Sequence, residues 1–352
     1  MQLEGEGMIE IDGSHGEGGG QILRTAVGLS CLFNKPFRIF NIRRGRKRPG
    51  LMPQHLTGVS AAKEITDAEV RGNSVGSTDL FFVPHSVKSG DFSFDTGTAG
   101  STLLVLQTIV PSLMMLKNRS TITLKGGTHV PFSPSLHYIA GVFVPTIQRL
   151  GVRMTVRIEL YGFYPKGGGT IRADIFPAET LKPLKSMRRG RVLRLTGCSA
   201  VGNLPLPIAE RQRDIMIKKL ESQEELSVAP EIMVMSVPAH GQGTFVYLQA
   251  ESEDAVAGFS SLGERGKRAE TVGEEAADEF LRYYGTGSSF DPHLADQIVL
   301  YLALCRDESV FTTSCITKHL MTNLWVIGLF HDFRCSVDGE IGKPGTITIN
   351  GH

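Results

Sequence analysis

The chain has 352 residues, a formal net charge of +1, and 41% hydrophobic against 21% charged residues. That length can bury a substantial core, and the balance excludes a disordered, collagen-like or strongly acidic chain. Glycine, at 40 residues, stands well above the usual ~7% and implies many turns or close backbone approaches.

The first predicted element is a short apolar strand at Met8–Ile11, running into a loop with Gly13, Gly16, Gly18, Gly19 and Gly20. Glu17 lies inside the loop, and Gln21 and Arg24 follow at helical spacing. Glycine lets backbone N–H groups approach an anion, and a helix starting there adds the positive end of its dipole. A tight strand-to-helix turn is the plainer reading of the same residues. From Gly18 to Lys63 no Asp or Glu occurs, while Arg24, Lys35, Arg38, Arg43, Arg44, Arg46, Lys47, Arg48 and Lys63 fall in that window. Such a block suits a polyanionic ligand, or else forms a solvated basic face.

A pattern then repeats. The first helix is expected over Gly20–Phe33, followed by strand FRIFNI, a helix across HLTGVSAAKEIT and the strand pair AEVRG and DLFFVP. A second copy runs through strand DFSFDTG, a helix over about Ala99–Leu116, strand TITLKGG, helix HYIAGVFVPTIQRLG and strands MTVRIEL and GTIRADIF. The third copy comprises helix LADQIVLYLALC, strand VFTTSC, helix HLMTNLWVIGLF and strands FRCSVD and TITIN. Strands show apolar alternation and helices a three-and-four spacing, so three β-α-β-α-β-β units in a layered α/β (α+β) body are predicted. The third unit's first strand can come from either side of the segment at about 184–287. That segment has dense mixed charge and reads as an inserted α+β domain, leaving 1–183 and 288–352 as the main body.

The Gly-rich segments KGGGT (Lys166–Thr170) and GQGT (Gly241–Thr244) lie between strand-like runs and are expected as hairpin turns. No GxxxxGK[ST] motif is present, so nucleotide use would need an architecture other than a P-loop. The five cysteines are scattered, without a CxxC pair, so neither zinc nor a disulfide framework is expected. With no signal-like N-terminus and no apolar run of membrane length, a reduced, cytoplasmic protein without membrane association is the expectation.

The motifs GSHGEGGGQILR, RRGRKRPGLMPQHL, GTAGSTLLVLQT, GGTHVPFSP, GFYPKGGG, HLADQ and KHLMTN resemble, in the same order, the signature segments of the RNA 3′-terminal phosphate cyclases. The resemblance spans essentially the whole chain and implies the repeat-plus-insert fold read above. It also implies an ATP-dependent enzyme acting on RNA 3′-phosphate ends with little sequence specificity. A histidine would take AMP from ATP and pass it to the RNA 3′-phosphate; the 2′-OH would then close a 2′,3′-cyclic phosphate.

By resemblance the nucleophile is His319, at the start of a helix whose dipole favours a neutral imidazole and a nearby phosphate. The nucleotide-binding set is Gln107, Pro131, His293, Leu294, Ala295, Asp296 and Gln297, with Asp296 also a candidate to orient the imidazole or a metal. Gln21, Arg24, Arg46 and Gln54 are the phosphate binders, by arginine's affinity for phosphate oxygens. Arg43, Arg44, Lys47 and Arg48 would track the RNA backbone. Glu17 is a candidate ligand for Mg²⁺ or another divalent cation, or a salt-bridge partner of a neighbouring arginine. Two rivals are carried: a non-catalytic branch of the family acting in ribosome assembly, and an enolpyruvyl transferase of related fold. A homodimer is a further expectation.

Overall fold

A computed structural model describes residues 7–351. The first unit consists of β1 (Ile9–Asp12), α1 (Gly20–Phe33), β2 (Phe37–Phe40), α2 (Pro53–Thr66), β3 (Glu69–Arg71) and β4 (Leu80–Val83). The second begins with β5 (Asp91–Asp95), α3 (Thr102–Leu113) and β6 (Ser120–Gly126). It continues through α4 (Leu136–Tyr138), a π-helical turn (Ile139–Phe143), α5 (Val144–Arg149), β7 (Met154–Leu160) and β8 (Gly169–Ile175). Their sheets run β1-β2-β4-β3 and β5-β6-β8-β7, the first pair parallel and the others antiparallel. In β8, Ile171, Ala173 and Ile175 are buried while Arg172 and Asp174 face outward, the alternation of a sheet with one wet face.

The third unit repeats this order with its first strand far away in sequence. β9 (Lys185–Ser186) pairs in parallel with β14 (Ser309–Thr313), which with β16 (Gly345–Gly351) and β15 (Phe333–Gly339) gives β15-β16-β14-β9. Helices α8 (Pro292–Ala303) and α9 (Lys318–Phe330) complete it. The third unit's first strand, left open between the two sides of the insert, thus comes from the N-terminal side. Between β9 and α8 stand β10 (Val192–Gly202), α6 (Pro207–Glu221), β11 (Pro230–Ser236), β12 (Gly243–Ser252), β13 (Val256–Leu262) and α7 (Ala269–Tyr284). Their sheet, β11-β10-β12-β13, has its own apolar cluster beneath α6 and α7, around Leu248, Phe259, Phe280 and Tyr283.

The expected hairpin at GQGT does not form. It joins β11 to β12, but β10 lies between them, parallel to one and antiparallel to the other. KGGGT does stand in the connection of the antiparallel pair β7 and β8, with Gly167 and Gly168 at positive φ.

The helices of the three units pack on one another, α1 against α3 and α9. Closeness of α1 to α3 depends on Gly28, where a Cβ would stand 2.8 Å from the Thr108 carbonyl oxygen. The apolar cluster at this junction draws on all three units, through Ile22, Leu106 and Ile327. Helix α3 is shorter than its pattern predicted, because Ser101 caps it by accepting from the Leu104 N–H. All five cysteines are free thiols, and no helix among the described residues is long and apolar enough to cross a membrane.

Candidate active site

Packing α1 beside α9 brings their N-termini together. α1 opens at Gly19 with no side-chain cap, which leaves its first-turn amides without an internal partner. α9 is capped by Thr317 through the Leu320 N–H, and His319 stands in its first turn. The Gly loop must lie flat here. A Cβ on Gly16 would sit 2.6 Å from Thr322 Oγ1, and one on Gly20 would sit 2.2 Å from His55 Nε2.

His319 meets the loop through its Nδ1. That nitrogen contacts Gln21 Oε1 and lies 3.3 Å from Glu17 Oε2. The Gln21 amide nitrogen donates to the His319 backbone oxygen at 3.4 Å, fixing which end of the amide faces the ring. With acceptors on that side, the proton of a neutral imidazole belongs on Nδ1 and the lone pair on Nε2. Burial, then the charges of Arg24, His293 and Arg46, hold His319 below the ordinary histidine range. Its side chain is still 47% exposed, so the ring is both neutral and accessible.

Glu17 is ion-paired to Arg46, the salt bridge named as an alternative to a metal ligand. Gln21, expected to bind phosphate, is buried and spends its amide on His319. Arg24 stands near Asp296 and His319; burial lowers it to about 10, opposed by Asp296, and leaves it charged. Gln54 accepts from the Ser101 N–H at 2.9 Å, keeping its amide nitrogen available. Gln54, Arg24 and His55 line one small cavity beside the α1 N-terminus.

The α8 residues gather on the other side of α1. Gln107 Nε2 donates to Gln297 Oε1 at 2.7 Å, and both line a cleft with Arg24, Asp296, Tyr301 and Asn323. Leu294 and Ala295 are fully buried in the core, so only their backbone could serve a ligand. Asp291 caps α8 through the His293 and Leu294 N–H groups. His293 is exposed and bonded to Glu279 at 2.9 Å. Although burial opposes it, Glu279, Asp291 and Asp296 raise His293 to about 9. Burial pushes Asp296 up to about 7 against the pull of His293 and Arg24. The imidazole of His319 is oriented by Gln21 and Glu17, whereas Asp296 is bonded through its backbone oxygen to Asn323 Nδ2. Pro131 lies exposed on the loop after β6.

Three contributors were not picked out from the sequence. Thr322 supports the loop by accepting from the Glu17 N–H at 3.4 Å, and Asn323 accepts from Thr25 Oγ1 at 2.7 Å. His55 accepts from the Met52 N–H through Nδ1, which puts its proton on Nε2, toward Gly20. Burial, then Arg43 and Arg24, hold it down to about 4, making it a neutral donor. The available signal was position: Thr322 and Asn323 close the KHLMTN motif, and His55 follows Gln54.

This is a concave, cationic site with a neutral imidazole between two helix N-termini, suited to a nucleotidyl- or phosphoryl-transfer enzyme. A family model described as RNA 3′-terminal phosphate cyclase matches residues 15–337. The relative from Desulfurococcus amylolyticus named RNA 3′-terminal phosphate cyclase is 44% identical over 350 residues, covering 98% of each chain. That from Thermococcus kodakarensis is 42% identical over 341 residues, and that from Methylococcus capsulatus 41% over 353. These cover 97% and 98% of this chain, and 98% and 96% of the relatives, respectively. The chain belongs to the RNA 3′-terminal phosphate cyclase family. Among solved structures, the enolpyruvyl transferase NikO from Streptomyces tendae covers 99% of this chain and 48% of its own at 11% identity and a TM-score of 0.39, too slight a likeness to carry any function.

Proposed function

We propose that this protein converts the 3′-terminal phosphate of RNA to a 2′,3′-cyclic phosphate, using ATP and a covalent adenylate on His319. The observation that carries the mechanism is the Nδ1 contact of His319 with Gln21 and Glu17, which supports a lone pair at Nε2. That nitrogen attacks the α-phosphorus of ATP, the bond to the bridging oxygen breaks, and pyrophosphate leaves. As charge develops on the ring, the Glu17 carboxylate near Nδ1 stabilises it, the part a carboxylate plays beside a catalytic histidine. A terminal phosphate oxygen of the RNA then displaces His319 and takes the AMP. The ribose 2′-OH attacks the activated phosphorus, and AMP departs.

Arg24, Arg46, Gln54, His55 and the α1 amides supply donors for the phosphates, and the Gln107–Gln297 cleft takes the nucleoside. A divalent cation such as Mg²⁺ would take Glu17 as a single hard oxygen ligand only where Arg46 leaves that carboxylate for the phosphates, with phosphate oxygens and water supplying the remainder. No group of three or more His, Cys, Asp or Glu that could hold a metal occurs among the described residues, in keeping with an ion carried largely by substrate. When bound, it would neutralise charge on the transferring phosphate. RNA contacts are mainly to the backbone, through the Arg43–Arg48 loop, and the working compartment is the cytoplasm.

Intact mass after incubation with ATP and Mg²⁺ tests the reading. The wild type is expected to gain one AMP, acid-labile as a phosphoramidate is, and His319→Ala none. No adduct on either protein, with RNA 3′-phosphate unchanged, would overturn it and favour the non-catalytic branch of the family.

A further inference from the structure

Two aromatic side chains stand in solvent without a packing partner to account for them. Phe132 is 102% exposed and holds φ at +61°, and Tyr164 is 67% exposed. The left-handed region is unfavourable for a residue with a Cβ, so the Phe132 backbone is held there by its loop while its ring gains no burial.

The two rings leave the body from adjoining loops. The Thr128 and His129 N–H groups both donate to the Gly162 oxygen, and His129 bridges Phe163 in parallel. Phe132 follows that bridge on one strand of chain and Tyr164 on the other. A third loop, from the insert, closes against them: a Cβ on Gly241 would touch Lys166 at 3.0 Å, and one on Gly168 would touch His240 at 3.1 Å. The stretches 126–136, 161–170 and 237–244 contain no Asp or Glu, while Lys166 and His240 are exposed. Exposed rings beside a lysine, on stretches without acidic residues, are what a single-stranded nucleic acid needs, since bases stack and phosphates seek positive charge.

The patch is also continuous with the site. A Cβ on Gly167 would stand 2.6 Å from the Thr98 oxygen, so the Tyr164 loop rests on Thr98 and Ala99. The Ser101 N–H in turn donates to Gln54, one of the proposed phosphate binders. We propose that Phe132 and Tyr164 form a base-stacking platform for the RNA strand upstream of its 3′-terminal phosphate, an inference that rests on the cyclase reading. It makes binding dependent on strand length rather than on sequence, because every base offers a π-face.

Phe132→Ala/Tyr164→Ala is compared with wild type on a 3′-phosphorylated RNA decamer and a 3′-phosphorylated dinucleotide. The expected result is a decamer KM raised roughly 10- to 100-fold, with dinucleotide KM and self-adenylation unchanged. Phe132→Trp/Tyr164→Phe should keep the wild-type decamer KM. An unchanged decamer KM would overturn the proposal. So would loss of self-adenylation, which would put the rings on the nucleotide beside Pro131. A variant-induced change from dimer to monomer in light scattering would overturn it too, making the patch a contact between copies. Fluorescence anisotropy of a labelled decamer separates the two readings. Ring-dependent binding without any cyclic phosphate formed would sink the cyclase reading and leave the platform standing.

Discussion

Two histidine sites in this molecule are held neutral and put to opposite uses. His129 and His137, after β6 and in α4, form one hydrogen-bonded chain with Thr128, at 2.9 Å for each link. Their rings lie among Tyr161, Phe163, Phe245 and Tyr247. Because Phe245 and Tyr247 come from β12, the pair fastens the insert to the second unit. His319 has its Nδ1 engaged in the same way, yet its ring is half-exposed and surrounded by arginines. Neutrality is therefore common to both, and the reactivity proposed for His319 comes from what is left over: an Nε2 lone pair on a ring that is half-exposed.

Removing what holds the reactive ring should have the largest effect. Gln21→Met keeps the volume and deletes the acceptor at Nδ1, leaving Glu17 alone to fix the tautomer. The rate of self-adenylation is expected to fall about 100-fold with little change in ATP KM, the scale of a misplaced reacting group. Single-turnover measurements check it, and a rate within twofold of wild type would show that the amide does not set the ring.

The structural pair should respond to acid instead. Burial holds His137 down to about 4, and burial with His137 nearby holds His129 well below its ordinary value. An unfolded chain titrates near 6.5, so below that pH it binds more protons than the folded protein. This contribution to stability is complete above pH 6.5 and is lost as pH falls toward 4. For His137 alone the loss by pH 5 is about 2 kcal/mol. Urea midpoints at pH 7.5 and 5 measure it, and His129→Gln/His137→Gln should flatten the acid limb. A slope equal to wild type in that variant would move the acid sensitivity elsewhere.

The contrast also shows what a sequence can reveal. The repeats were legible because β8 alternates cleanly and α1 keeps its apolar spacing from Gly20 to Phe33. The origin of the third unit's first strand was not, because a two-residue strand such as Lys185–Ser186 carries no period. GQGT looked like a hairpin because strand pairing is not encoded in the flanking runs; β10, placed earlier in the chain, intervenes. His319 came from the KHLMTN resemblance, while its partner Gln21 lies 298 positions away. A polar residue at the start of a helix reads equally well as a phosphate ligand or a positioning group. Only packing of α1 on α9 decides which.

The smallest expected effect concerns the charges around His319. Arg46 is the last of the causes that lower its pKa, after burial, Arg24 and His293. The lowered value means that Nε2 keeps its lone pair down to a more acidic pH than an ordinary histidine, and self-adenylation falls only as pH passes below that point. Arg46→Gln removes one cation, so the acid limb should move upward, toward the ordinary histidine value. The shift is limited because Arg46 is the smallest of those causes, although the same change frees Glu17, whose carboxylate near Nδ1 also favours the protonated ring and pushes in the same direction. A pH–rate profile of adduct formation resolves this. A limb that stays in place would mean that burial, Arg24 and His293 keep the imidazole neutral without Arg46, and that this arginine serves the phosphate rather than the base.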